Sequence, residues 1–175
     1  MTARPQVRET TPQDIAEILK LYPQAFPDED LRPVVAALLA ERRGVLSLAG
    51  FDGDDLMAHV LFSRCATGDG NMAGALLGPL AVAPVHQRQG IGSALVRAGF
   101  GHLEKAGVRQ VFVLGDPSYY ARFGFSREAR VTAPYPMPEE WAGAWQSVVL
   151  AGCAPLEEGS LRLPTPWMEP ALWSP

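Results

Sequence analysis

A chain of 175 residues has room for one ordinary domain with a substantial core, and not for two. Its 47% hydrophobic and 19% charged residues describe a globular protein and exclude a disordered one. A net charge of −4, with the Lys and Arg residues dispersed, gives a nucleic-acid partner no electrostatic support. No apolar run reaches the ~18 residues of a membrane helix, and the start from Met1 to Glu9 has no apolar leader region. These readings predict a soluble, cytoplasmic protein with no membrane partner.

In chain order, Val7-Arg8-Glu9 begins a first strand, and Thr11 and Pro12 then start a helix. Thr11 suits the cap, and Pro12 suits the first position because its missing N–H would be unpaired there anyway. Ile15, Ile18, Leu19 and Tyr22 fall on one helical face, and Pro23 is expected to end that helix. Leu31, Val34, Val35, Leu38 and Leu39 carry the period of a second helix, with Gly44 after Arg42-Arg43 as its stop. Residues 45–49 and 57–62 read as paired strands about a turn at 51–55, and 67–71 is another turn. The apolar run Leu76-Leu77-Gly78-Pro79-Leu80-Ala81-Val82 is a buried strand. After a polar turn, Gly90 and Gly92 open an amphipathic helix with Ile91, Leu95, Ala98 and His102 along one side and an end near Gly107. Gly99 and Gly101 weaken that helix by up to about 1 kcal/mol each, a cost that close packing against the sheet or a ligand would explain. Residues 110–115, 147–150 and 160–163 read as later strands. The tail 164–175 holds four prolines and two tryptophans, Trp167 and Trp173, which pack on the domain, cover a pocket or meet a second subunit.

The strand, turn and glycine-opened helix carry the chemistry. A helix N-terminus aims unpaired backbone N–H groups at one point and favours an anion there. Gly90 and Gly92 let the backbone approach a ligand closely, and Arg88 adds positive charge beside them. A nucleotide P-loop would need a Gly-Lys-Ser/Thr step that is absent. A dinucleotide fingerprint would need a third glycine where Leu95 stands, and a glycine nearer the strand than Gly90 is to Val82. Gln87-Arg88-Gln89-Gly90-Ile91-Gly92 after Leu80-Ala81-Val82 instead resembles the acetyl-CoA loop of the GNAT superfamily of N-acetyltransferases. Gly115-Asp116-Pro117-Ser118-Tyr119-Tyr120-Ala121-Arg122-Phe123-Gly124-Phe125 resembles that family's closing signature, and with Gly78-Pro79-Leu80-Ala81-Val82 it looks like one bacterial branch of predicted N-acetyltransferases. The resemblance is densest over residues 76–125.

The resemblance implies an α/β (α+β) GNAT fold in one domain over residues 1–175: a central mixed, mostly antiparallel twisted sheet of about six to seven strands flanked by about four helices. It implies acetyl transfer from acetyl-CoA to a primary amine of a small molecule or protein, by direct attack in a ternary complex and with no metal. The backbone from Gln89 through Gly90, Ile91 and Gly92 to Ser93, with Gln87 and Arg88 beside it, would hold the CoA pyrophosphate. The backbone of Leu80, Ala81 and Val82 would bond the pantetheine arm and polarise the thioester carbonyl. Tyr120, four residues before Gly124, matches the acid that protonates the CoA sulfur. Tyr119 is its competitor, and a core tyrosine with a satisfied hydroxyl is the plainer alternative. Many relatives place a carboxylate base on the strand before the loop, but residues 75–82 hold no acid or histidine. Glu9, His59, Asp116 and water stay open as the base, although a lone His in an apolar strand is more often structural. That gap keeps a second reading alive, a non-catalytic acyl-CoA sensor. The histidines and cysteines lack zinc-site spacing, and Cys65 and Cys153 read as two buried thiols. Dimerisation is common in the resembled family, and no residue here demonstrates a homodimer. The amine acceptor is not legible.

Overall fold

The computed structural model describes residues 4 to 175. Met1, Thr2 and Ala3, part of the start read for a leader, lie outside the described residues. The described residues form two compact units, 4–62 with 79–99 and 63–78 with 100–175.

In the first unit, β1 (Gln6–Glu9) pairs antiparallel with β2 (Val45–Asp52), from Gln6 opposite Phe51 to Glu9 opposite Leu48. β2 neighbours β3 (Asp55–Thr67), and β3 neighbours β4 (Gly74–Val82). The turn between β2 and β3 uses Gly53 at φ 59°. Helix α1 (Ile15–Ala25) follows a short 3-10 turn at Pro12–Asp14, in which the Asp14 carboxylate accepts from the Thr11 N–H at 2.7 Å. Pro23 does not end α1. It lies in the last turn, where only one backbone bond is lost, and Phe26 N still bonds Tyr22 O at 2.8 Å. Helix α2 (Arg32–Leu39) buries Val34, Val35 and Leu38 and stops before Gly44, which turns at φ 78° into β2. Helix α3 (Ile91–Lys105) starts at the glycine loop and ends before Gly107. Its buried side is Ile91, Gly92, Leu95, Val96, Gly99 and Leu103, while Ala98 is half-buried and His102 exposed. The packed stripe is therefore rotated from the expected one.

In the second unit, Gly74–Leu77 of β4 run parallel to β5 (Gln110–Leu114), the helical crossover between them being what a parallel pair requires. β5 pairs antiparallel with β8 (Trp145–Val149), and β8 with β6 (Ser126–Arg127). The end of β3 pairs antiparallel with β9 (Gly159–Arg162), and β9 parallel with β7 (Val131–Thr132). The mixed, mostly antiparallel sheet is thus present, its larger strand count coming from the two-residue segments β6 and β7. One core holds Cys65, Leu76, Phe112, Val131, Trp145 and Trp173. The tail packs on this unit: Trp167 Nε1 donates to Ser63 Oγ at 3.0 Å, Trp173 Nε1 donates to Trp167 O at 2.9 Å, and Trp173 stands edge-on to Trp145.

Short helix α4 (Pro117–Tyr120) follows β5, and Gly124, at φ 89°, turns the chain into β6. Glu128 pins that region. Its carboxylate accepts from Ser147 Oγ, Gln110 Nε2, Arg130 N and Val131 N at 2.7 to 3.0 Å. Cys65 is buried as expected, with its thiol pushed up to about 12 by burial, but Cys153 is exposed, and both are free thiols.

Candidate functional site

The register between β4 and β5 ends at Leu77 opposite Val113, while β4 runs on through Gly78, Pro79, Leu80 and Ala81 to Val82. Ala81 buries its side chain, whereas Leu80 and Val82 are half-buried. A backbone that continues past its strand partner is available to bond something else.

After Val82, Ala83 N bonds Met57 O at 2.9 Å, and a 3-10 turn at Pro84–His86 spans the long gap to Gly90. The next four residues, Gln87, Arg88, Gln89 and Gly90, are exposed. Gly90 has φ 85°, as its glycine identity allows, and Arg88 has φ 61°. A left-handed arginine costs about 1–2 kcal/mol, and such strain concentrates at ligand-binding turns. Nothing in the sequence announced it. Gln87 Nε2 donates to Val82 O and Gln89 Nε2 to Val85 O, both at 3.3 Å, so these two side chains brace the loop. The first bond of α3 runs from Ala94 N to Gly90 O at 3.0 Å. The N–H groups of Ile91, Gly92 and Ser93 therefore have no partner within the helix, the arrangement that attracts an anion. Ile91 fixes the helix start on the sheet: a Cβ on Gly50 would lie 2.5 Å from Ile91 Cδ1, so only glycine leaves that room.

His59 is fully buried in the first unit. Ser47 Oγ lies 2.8 Å from its Nε2 and the Tyr22 hydroxyl 2.7 Å from its Nδ1. Burial pushes its pKa down to about 3, with Asp14 opposing weakly. A histidine so enclosed takes no proton from a substrate. In the unfolded chain it protonates below its ordinary 6.5, so below that pH the unfolded state binds one more proton than the folded one. Stability is therefore predicted to fall by up to about 1.4 kcal/mol per pH unit as pH drops from 6.5 toward 3. Urea unfolding of wild type and His59→Gln across that range checks this, the variant losing one proton's worth of slope. Glu9 lies exposed at the rim of a cavity of about 250 Å³ that Thr10 and Ser47 also line.

In the second unit, Asp116 caps α4, its Oδ1 accepting from Ser118 N at 2.9 Å and Ser118 Oγ at 2.8 Å. Its role there is to shape the turn. The Tyr120 ring packs with Tyr119, Phe123 and Phe125 and lies over Gly115, where a Cβ would come within 2.5 Å of its Cε2. Burial, then Tyr119, raises its pKa, so the phenol keeps its proton at neutral pH. Tyr119 instead lies under the Arg122 guanidinium, 4.4 Å from its ring centre. A cavity of about 520 Å³, walled by Val131, Ala133, Tyr135, Met137 and Trp145, also belongs to this unit and was not legible from local pattern. Among the described residues no cluster of His, Cys, Asp and Glu is placed to hold a metal ion, and no helix is long and apolar enough to cross a membrane.

Known proteins match this chain in sequence and fold. The GNAT acetyltransferase domain family matches residues 6–127. The uncharacterized N-acetyltransferase YjhQ of Escherichia coli (strain K12) is 36% identical over 165 residues, 90% of this chain and 91% of the relative. The crystal structure of the GNAT family N-acetyltransferase YhbS from Escherichia coli in complex with CoA matches with a TM-score of 0.83 at 26% identity, covering 95% of this chain and 93% of that one. A GNAT family acetyltransferase from Brucella melitensis in complex with acetyl-CoA matches with a TM-score of 0.74 at 28% identity, covering 93% and 97%. With its glycine loop at the start of α3, its β4 running on past β5, and matches over most of its length, this chain belongs to the GNAT family of acetyltransferases.

Proposed function

We propose that the protein is an acetyl-CoA-dependent N-acetyltransferase acting on a primary amine, with residues 1–175 working as one domain. The observation that carries this reading is the loop, where Arg88 and Gly90 hold left-handed backbone before the unpaired N–H groups that start α3. The CoA and acetyl-CoA complexes of the two structural relatives support it.

In this reading the N–H groups of Gln89, Gly90, Ile91, Gly92 and Ser93 hold the pyrophosphate, with Arg88 adding charge. The β4 backbone at Leu80 and Val82 holds the pantetheine arm, and a backbone N–H there stabilises the negative charge that develops on the thioester oxygen. The neutral amine attacks the thioester carbon, the carbon–sulfur bond breaks, and Tyr120 gives its phenolic proton to the departing sulfur. His59 is enclosed and Asp116 is occupied in capping, so the amine's own proton goes to water or to the exposed Glu9 carboxylate. The cytoplasm is the proposed location, as the composition predicts, and a homodimer is a proposal by likeness to the family alone.

Gly90→Val tests the loop. A β-branched residue costs about 1–2 kcal/mol in left-handed backbone, so calorimetric titration is expected to show CoA affinity reduced about tenfold. Nothing lies within 4 Å of the added Cβ, so the variant should still fold, its melting temperature falling only by what the left-handed strain costs, about 2–8 °C. Unchanged CoA affinity in a folded variant would count against this loop as the pyrophosphate site.

A further inference from the structure

Neither Tyr22 nor His59 has a part in the chemistry above, yet both are almost wholly buried and belong to one chain of hydrogen bonds. Thr10 Oγ1 donates to Ser47 Oγ at 2.6 Å. Ser47 Oγ and the Tyr22 hydroxyl flank the two His59 nitrogens at 2.8 and 2.7 Å, and the Tyr22 hydroxyl reaches the Pro79 carbonyl at 3.4 Å.

The last member gives the chain one direction. A carbonyl only accepts, so Tyr22 is the donor in its contact with Pro79. The Tyr22 oxygen then accepts from His59 Nδ1–H. Neutral His59 has a bare Nε2, which accepts from the Ser47 hydroxyl, and Ser47 accepts from Thr10. In this arrangement every hydrogen of the chain has an acceptor and His59 is the Nδ1–H tautomer; in the Nε2–H tautomer Tyr22 would donate to Nδ1 and release Pro79. The Pro79 oxygen carries no proton to pass on, so the chain cannot serve as a route to a base. It acts as a mechanical link.

What it holds is a peptide plane. In a trans peptide the Pro79 C=O and the Leu80 N–H share one plane and point in opposite directions. Gly78, at φ 142°, places no side-chain restraint on the backbone just before it. Anchoring the Pro79 carbonyl to Tyr22 therefore aims the Leu80 N–H. We propose that Tyr22 and His59 are positioning residues for the transfer, setting through Pro79 the direction of the Leu80 N–H that polarises the thioester carbonyl. This rests on the acetyl-transfer reading of β4.

Tyr22→Phe removes the hydroxyl and keeps the ring. Amide NMR of the full chain should show the Leu80 resonance displaced in this variant and those of Gly90 and Ile91 unmoved, before any ligand is added. With acetyl-CoA and the most active amine of a panel, kcat should fall about ten- to a hundredfold, while KM for acetyl-CoA stays within about twofold. His59→Asn, whose side-chain N–H can take the place of Nδ1–H, should retain more kcat than His59→Leu. An effect through stability alone would lower the melting temperature and leave kcat in the folded variant intact. An unmoved Leu80 amide, or an unchanged kcat in Tyr22→Phe, overturns the positioning role. A wild-type Gly90 amide that ignores acetyl-CoA refutes instead the reading on which that role rests.

Discussion

Tyr120→Phe is expected to bind acetyl-CoA with nearly wild-type affinity and to lose roughly 10²-fold or more in kcat, the usual worth of a general acid. The substitution removes one oxygen. The ring contacts with Tyr119, Phe123 and Phe125 and the close approach to Gly115 remain, so the variant should fold and melt close to wild type. A departing thiolate needs a proton, and burial keeps that of Tyr120 in place across the neutral range. Tyr119→Phe serves as the control. That ring is occupied with the Arg122 guanidinium, and its loss should leave kcat within about twofold. Steady-state kinetics on the two variants decide the matter. Full activity in Tyr120→Phe would mean that the sulfur leaves unprotonated or takes its proton from water.

Two glycines in one helix are expected to respond in opposite directions. A Cβ on Gly99 would overlap Phe62 Cε2 and Cζ at the edge of the ring, and Phe62 is fully buried. Overpacking of this kind costs typically about 1–3 kcal/mol, which outweighs the gain of up to about 1 kcal/mol from replacing a helical glycine. Gly101 has nothing within 4 Å of its added Cβ, so there the helix gain stands alone. For a chain of this size each kcal/mol moves the melting temperature by about 2–4 °C. Gly99→Ala should therefore melt several degrees lower and Gly101→Ala about 2–4 °C higher. Thermal unfolding of the two single variants checks this, and shifts of the same sign would contradict it.

These glycines also mark where sequence stops being legible. Both weaken α3 equally on paper, and only the placement of Phe62, which is remote in sequence, separates them. Local chemistry came through well. The strand ending at Val82, the glycine opening of α3, the Tyr-bearing turn and the Gly124 step all sit where residue types with fixed backbone preferences put them. Features that depend on a distant partner did not. The helical period placed Ala98 and His102 along one side with Ile91 and Leu95, but packing buried Val96 and Leu103 beside those two instead. Pro23 looked like a stop because nothing local shows that a helix can close its last turn around a proline. His59 read as a lone histidine in an apolar strand, and its partners Tyr22 and Ser47 come from α1 and β2. The Glu128 hub joins backbone N–H groups beside it to Gln110 and Ser147 on two other strands, a convergence that no periodicity records. The left-handed Arg88 was hidden for a different reason: an arginine gives no local sign of positive φ, and the position became visible only as backbone.

Acetyl transfer itself is tested most directly by mixing the purified protein with acetyl-CoA and a panel of amines, peptides and aminoglycosides, then following free thiol with and without each acceptor. Thiol release is expected to depend on at least one amine, to saturate with acetyl-CoA and to drop in Tyr120→Phe. Tight acetyl-CoA binding with no acceptor-dependent release across the panel would contradict it and make the protein an acyl-CoA-binding member of its family.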